Sequence, residues 1–117
     1  MTFHADVPQH ADLAARLAPI RAHFLSTLGP RLARLDAVLC SASPAAAAMR
    51  ALQEDVHKIR GVAPTLGFEA LGRCAALADE LLDPWHHADT DLPVTADLAA
   101  ALAALRDQIA GALAPSA

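Results

Sequence analysis

Residues 49–62 read MRALQEDVHKIRGV. Within them, Met49, Leu52, Val56 and Ile59 recur at steps of three and four, a spacing that places side chains on one face of an α-helix. The polar residues between them fall on the remaining faces. The segment therefore predicts an amphipathic helix that buries a single apolar stripe.

The residues around this segment predict where its helix begins and ends. Pro44 suits the first helical position, because the N–H that proline lacks would be unpaired there anyway, and Ser43 is the expected N-cap. Pro64 is expected to end or bend the helix, since a proline disfavours the helical conformation of the residue before it. The predicted helix runs from about 44 to 62.

The same periodicity recurs between clusters of Gly, Pro, Ser and Asp in the rest of the chain. It predicts further helices at about 12–18, 19–40, 67–82 and 94–113. The second of these is expected to be kinked at Gly29-Pro30, and the last to be capped by Thr95. A polar loop is expected at 83–93, in which Trp85 covers one end of the helices. Such helices pack as an all-α, antiparallel up-and-down four-helix bundle, here with a short additional N-terminal helix. Residues 1–117 are expected to form one domain, with tails at 1–11 and 114–117.

The composition excludes several classes of protein. The 117 residues include 9 Lys or Arg and 13 Asp or Glu, which gives a net charge of −4, and 55% are hydrophobic while 3% are aromatic. These values argue against disorder, an all-β domain and nucleic-acid binding. Apolar runs stay below the roughly 18 residues of a membrane span, and the first residues do not resemble a signal peptide. We expect a cytoplasmic protein, with Cys40 and Cys74 as buried thiols.

Three polar or small residues of the segment 49–62 share a face of the predicted helix with His57. Arg60 and Gly61 follow His57 by three and four positions, and Gln53 precedes it by four. A glycine inside a helix costs roughly 0.5–1 kcal/mol relative to alanine, but it leaves a bare surface that another molecule can approach. An imidazole, a cation one turn away and a missing side chain together indicate a place to hold an anion.

These residues resemble the signature of histidine phosphotransfer (HPt) domains. The run HKIRGVAPTLGF, residues 57–68, has a His, a cation at +3, Gly at +4, a small residue at +6 and an apolar-Gly pair at +9 and +10. Leu71, Cys74 and Leu77 are similar to the family's apolar positions on the next helix. The resemblance implies a relay protein of phosphorelays, one that is not an enzyme and has no ATP-binding module.

The resemblance also implies roles for individual residues. His57 would accept a phosphoryl group from a phospho-aspartyl receiver domain and pass it to another receiver, with Arg60 (in place of the more usual Lys) pairing with the phosphoryl oxygens. Gly61 would admit the receiver, Lys58 would add a second cation, and Asp79, at +22, would orient the imidazole. Mg²⁺ would come from the receiver, so that this chain needs no cofactor of its own, and a monomer is expected.

Two other functions remain open from the residues. One is the dimeric phosphoacceptor domain of a histidine kinase, which Lys58 disfavours because that family has an acidic residue after its His. The other is a helical adaptor that binds a partner helix without phosphotransfer. A metal site at His86 and His87, near Asp89 and Asp91, is not expected, because adjacent residues on a loop rarely bind one ion together.

Overall fold

The computed structural model describes the backbone of residues 6–115 and the side chains of residues 12–115. Over this range the chain forms four α-helices, α1 (Asp6–Leu39), α2 (Ala46–Val62), α3 (Glu69–His86) and α4 (Ala96–Leu113), with a 3₁₀ turn at Pro64–Leu66 between α2 and α3. The predicted all-α class is confirmed. None of these four helices combines the length and hydropathy needed to cross a bilayer.

The helices run up and down, and contacts at the two ends of the α2–α3 pair agree with this arrangement. At one end the backbone N–H of Ala46 donates to Asp91 Oδ1 at 2.8 Å, which joins the start of α2 to the α3–α4 connection. At the other end Arg21 of α1 donates to the carbonyl of Leu66 at 2.8 Å. The contact between α2 and α3 is the most extensive, and α1 packs on α4 and α2. The predicted antiparallel four-helix bundle is confirmed.

Helix α1 differs from the prediction, because it is one continuous helix of 34 residues with Pro19 and Pro30 inside it. The separate short helix at 12–18 is therefore wrong, and residues 6–11, expected as a tail, belong to α1. Both prolines are exposed. Each removes one backbone hydrogen bond, and water can bond the freed carbonyl at an exposed position, so the helix continues through them.

Two other helix ends also differ from the prediction. Helix α2 begins at Ala46, and its N-cap is Ala45 rather than Ser43, with no side-chain hydrogen bond. Helix α3 continues past Pro84 to His86, so the loop expected from residue 83 begins only after His86. Trp85 is 2% exposed in the last turn of α3, and burial of its large side chain stabilises a turn that the proline weakens. The cap at Thr95 is confirmed, since its side chain accepts from the N–H of Leu98.

The turn between α2 and α3 holds these helices close together. Pro64 ends α2, as expected, and begins the 3₁₀ turn, which Gly67 closes with a φ of 92°, a conformation that favours glycine. Gly72, in the first turns of α3, lies against Pro64, where a Cβ would come within 2.5 Å of the proline Cγ. A larger residue at 72 would push α3 away from α2.

The core consists of the apolar stripes of all four helices. Its largest fully buried side chains are Trp85, Leu28, Leu35, Met49, Leu52, Ile59, Leu82, Leu102, Leu105, Ile109 and Val56. The two cysteines do not belong to this set, which corrects the prediction of buried thiols: both are free, Cys40 is exposed and Cys74 is half-buried. Small residues fill the narrow α2–α3 contact, where Ala63, Ala75 and Ala78 are fully buried.

A buried carboxylate ties α1 to α2 on the opposite side of α2 from His57. Asp55 receives two hydrogen bonds from Arg34, at 2.6 Å and 2.9 Å. A second arginine, Arg31, lies 3.5 Å from the same carboxylate. This bidentate, charge-assisted pairing fixes the register of α1 against α2.

The Asp55 pairing predicts a measurable contribution to stability. We expect Asp55→Ala to lower the free energy of unfolding by about 1–3 kcal/mol, because it leaves two arginines without their buried acceptor. The control Asp12→Ala removes an exposed pair with Arg16 and should cost below about 0.5 kcal/mol. Chemical denaturation followed by circular dichroism measures both, and equal losses in the two variants would contradict the role given to Asp55.

Candidate functional site

His57 lies in the middle of α2, at the edge of the apolar stripe. Its neighbours Val56 and Ile59 are buried in the core, which fixes the rotation of the helix and turns the imidazole toward α3. The His57 side chain is nevertheless 76% exposed. The ring is thus held at the surface by a rigid helix, where another protein can reach it.

The carboxylate of Asp79, on α3, contacts this imidazole. Its side chain is 9% exposed, and its Oδ2 lies 2.9 Å from His57 Nδ1. An ionised carboxylate can only accept hydrogen bonds, so a neutral His57 ring in this contact carries its proton on Nδ1 and its lone pair on Nε2. The arrangement leaves Nε2 on the exposed side of the ring.

Arg60 contacts the same carboxylate oxygen of Asp79 as His57 does. Its Nη1 donates to Asp79 Oδ2 at 3.2 Å, and its Nη2 lies 3.8 Å from Glu80 Oε2, while the side chain is 41% exposed. Burial raises the pKa of Asp79, but hydrogen bonds from His57, Arg60 and Gln53 outweigh it, and the pKa lies below the ordinary value. Asp79 is therefore a stable anion that organises two residues of α2.

An open cavity of about 550 Å³ extends from His57 along the groove between α2 and α3. It is lined by Arg50, Gln53, Glu54, His57, Arg60, Asp79, Glu80, Asp83 and His86. Of the predicted site residues, His57, Arg60 and Asp79 come together here. Gly61 is exposed one turn above His57, and a Cβ on it would meet nothing within 4 Å. Lys58 is exposed and does not line the cavity.

Two residues that line this cavity are not among the predicted site residues. Gln53 is expected on the face of His57 without a role, and His86 is expected in a loop. His86 follows Asp79 by seven positions, two helical turns, so extending the helical pattern past Pro84 would have placed it on the same face. Among the described residues, no group of three or more His, Cys, Asp or Glu side chains is arranged to hold a metal ion.

The shared carboxylate predicts a shift in the titration of Asp79. Replacing Arg60 in Arg60→Met removes a hydrogen bond that lowers the Asp79 pKa, whereas the burial that raises it remains, so the pKa should rise. Carboxyl ¹³C NMR titration measures this directly. The control Arg16→Met changes an exposed arginine paired with Asp12 on α1 and should leave the Asp79 titration unchanged.

The same pKa shift has a consequence for stability. Because the folded-state pKa of Asp79 is lowered, its contribution is complete above the unfolded value of about 3.9 and is lost as the pH falls through the folded-state pKa. We expect the difference in unfolding free energy between wild type and Arg60→Met to shrink as acid protonates Asp79. A difference that stays constant with pH, together with an unchanged Asp79 titration, would contradict this electrostatic coupling.

Comparison with known protein families matches a family model described as Hpt domain to residues 19–112. Comparisons with curated proteins and with solved structures found no match. The matched segment includes the whole of α2 and α3, and with them every residue that lines the cavity. The chain therefore belongs to the Hpt domain family, whose members are the histidine phosphotransfer modules of phosphorelays.

Proposed function

We propose that this protein is a phosphorelay intermediate in which His57 accepts a phosphoryl group from a phospho-aspartyl receiver domain and passes it to another receiver. The observation that carries the proposal is the exposed imidazole whose Nδ1 is held 2.9 Å from the buried Asp79 carboxylate. This contact supports a nucleophilic Nε2 that points outward. Receiver domains are the proposed partners, and we propose that the protein acts as a monomer in the cytoplasm.

The proposed step exchanges one bond to phosphorus for another. The lone pair of His57 Nε2 forms the N–P bond as the P–O bond to the receiver aspartate breaks, and the aspartate leaves as a carboxylate. The imidazole gains positive charge, which Asp79 balances through the Nδ1–H bond while the proton stays on Nδ1. The receiver would supply Mg²⁺ and the acidic residues that hold it. Onward transfer reverses the step on a second receiver.

Arg60 is the proposed partner of the phosphoryl oxygens. Its guanidinium stays charged and presents a planar fork that suits these oxygens. In the free protein it contacts Asp79 and Glu80, and its partial exposure allows it to turn toward a group on Nε2. Lys58 follows His57 directly and points about 100° away around the helix, so we assign it a general attraction for the acidic receiver site.

The proposal predicts that phosphorylation depends on one histidine. Incubation with a phosphorylated receiver domain should place acid-labile phosphate on the wild-type protein and none on His57→Gln, which lacks the nucleophilic nitrogen. His23→Gln, a control at an exposed histidine of α1, should be labelled like the wild type. Phosphate on His57→Gln would overturn the assignment, and no transfer to the wild type from any receiver of the same organism would leave the adaptor function.

The proposed role of Gly61 predicts that its substitution slows phosphotransfer from a receiver domain without destabilising the free protein. Because a Cβ at Gly61 meets nothing, Gly61→Leu should leave the free protein as stable as wild type or stabilise it by about 0.5–1 kcal/mol, as replacing a helical glycine does. The bulkier side chain should hinder the receiver and slow transfer by at least about tenfold, which corresponds to about 1.4 kcal/mol.

Gly111 of α4 is the matched control for Gly61. It is also helical, exposed and free of neighbours within 4 Å of a built Cβ, but it lies on α4, which contributes no residue to the cavity at His57. Gly111→Leu should affect stability in the same way as Gly61→Leu but leave transfer close to wild type. Equal transfer rates in the two variants, measured by the rate of phosphate loss from the receiver, would exclude a role of Gly61 in access.

A further inference from the structure

Glu80 of α3 lies beside Arg60 and lines the same cavity as His57. Its Oε2 is 3.8 Å from Arg60 Nη2, a distance that makes an ion pair rather than a hydrogen bond. The other terminal nitrogen of Arg60, Nη1, donates to Asp79 Oδ2 at 3.2 Å. The guanidinium thus bridges two carboxylates of α3, one with each terminal nitrogen. A lysine would bring only one nitrogen to this place.

The two carboxylates hold Arg60 with different strength. The Asp79 side chain is 9% exposed and also bonds His57, whereas the Glu80 side chain is 66% exposed. An exposed ion pair is weak, because water and dissolved ions screen it. Arg60 can therefore leave Glu80 at a small cost in free energy, while Asp79 stays bound to the imidazole.

We infer that Glu80 competes with the phosphoryl group for Arg60, and that it thereby lowers the fraction of phosphoryl groups that His57 retains at equilibrium with a receiver domain. The inference rests on the proposed function of His57 and Arg60. Glu80 is a positioning residue, since it does not touch the reacting atoms and acts on them through the guanidinium.

Phosphorylation of His57 brings a second anion to the cation that Glu80 holds. A phosphoryl group adds negative charge and strong acceptor oxygens at Nε2. When Nη2 of Arg60 bonds these oxygens, it leaves Glu80, which becomes an unpaired anion in a groove that has just gained negative charge. The lost ion pair and the added repulsion both raise the free energy of the phosphorylated protein. Both effects favour onward transfer to a receiver domain.

Substitution of Glu80 by glutamine tests this inference, because it keeps the size of the side chain and removes its charge. The matched control is Glu54→Gln. Glu54 is also an exposed glutamate that lines the cavity, whereas the ion pairs of Arg60 are with Asp79 and Glu80. A third protein combines Glu80→Gln with Arg60→Met, which removes the cation for which the two anions compete.

Two quantities are measured for each protein. The first is the ratio of phosphorylated His57 to phosphorylated receiver domain after the two proteins have been mixed and have reached equilibrium. The second is the ¹⁵N relaxation of the Arg60 Nε–H group in the free protein, which reports the mobility of the guanidinium without any phosphotransfer.

We expect Glu80→Gln to raise the equilibrium ratio about two- to fivefold, the size expected for the loss of an exposed ion pair, and to make the Arg60 guanidinium more mobile. Glu54→Gln should stay close to wild type in both measurements. In the Arg60→Met background, Glu80→Gln should leave the equilibrium ratio unchanged, because no guanidinium is left to be shared.

An equal rise of the ratio in Glu80→Gln and Glu54→Gln would overturn the inference, because it would reduce the effect to the total charge of the groove. A rise that persists in the Arg60→Met background, or an unchanged mobility of Arg60 in Glu80→Gln, would overturn it as well. The two proposals fail separately. If the wild type accepts no phosphate, the proposed function fails, whereas a wild type that accepts phosphate and a Glu80→Gln variant with the same ratio would exclude only the role of Glu80.

Discussion

The hydrogen bond between Asp79 and His57 depends on how closely α2 and α3 pack. The side chain of an aspartate is short, so it reaches the imidazole only if the two helices lie near each other. Gly72 allows that approach at the turn, where a Cβ would come within 2.5 Å of Pro64, and the buried Ala75 and Ala78 continue it along α3. The alanine-rich, aromatic-poor composition thus has a consequence at the site, because small side chains let a short carboxylate span the groove.

Helix α2 takes part in two contacts that involve a carboxylate, one on each of two sides, and the two contacts have different roles. Toward α1, Asp55 is enclosed by Arg31 and Arg34 and holds the bundle together. Toward α3, His57 and Arg60 meet Asp79 and remain partly open to solvent. The apolar stripe between the two sides anchors the rotation of the helix. Because the stability of the bundle and the chemistry of the site use different faces, residues around His57 can be exposed and polar without weakening the core.

The electrostatics of the groove favour one orientation of the imidazole. A buried carboxylate with several donors stays ionised, and an ionised carboxylate holds the proton on Nδ1 and leaves Nε2 free. Arg60 lies close enough to contribute to this arrangement and is exposed enough to leave it. The same cation can therefore stabilise the resting site and also lie within reach of an anion that enters the groove.

The sequence by itself determined the helical class, the apolar stripe of α2 and the register that sets Arg60 and Gly61 on the face of His57, because each follows from a 3.6-residue repeat within one segment. Thr95 as a cap and Pro64 as the end of α2 were predictable for the same local reason. Tertiary structure decided the rest. Whether a helix passes through Pro19 or Pro84 depends on exposure of the first and on burial of the neighbouring Trp85, and both are set by the other helices. The contacts of Asp79 with His57 and Arg60 cross between helices, so they depend on an interhelical distance that no single segment encodes.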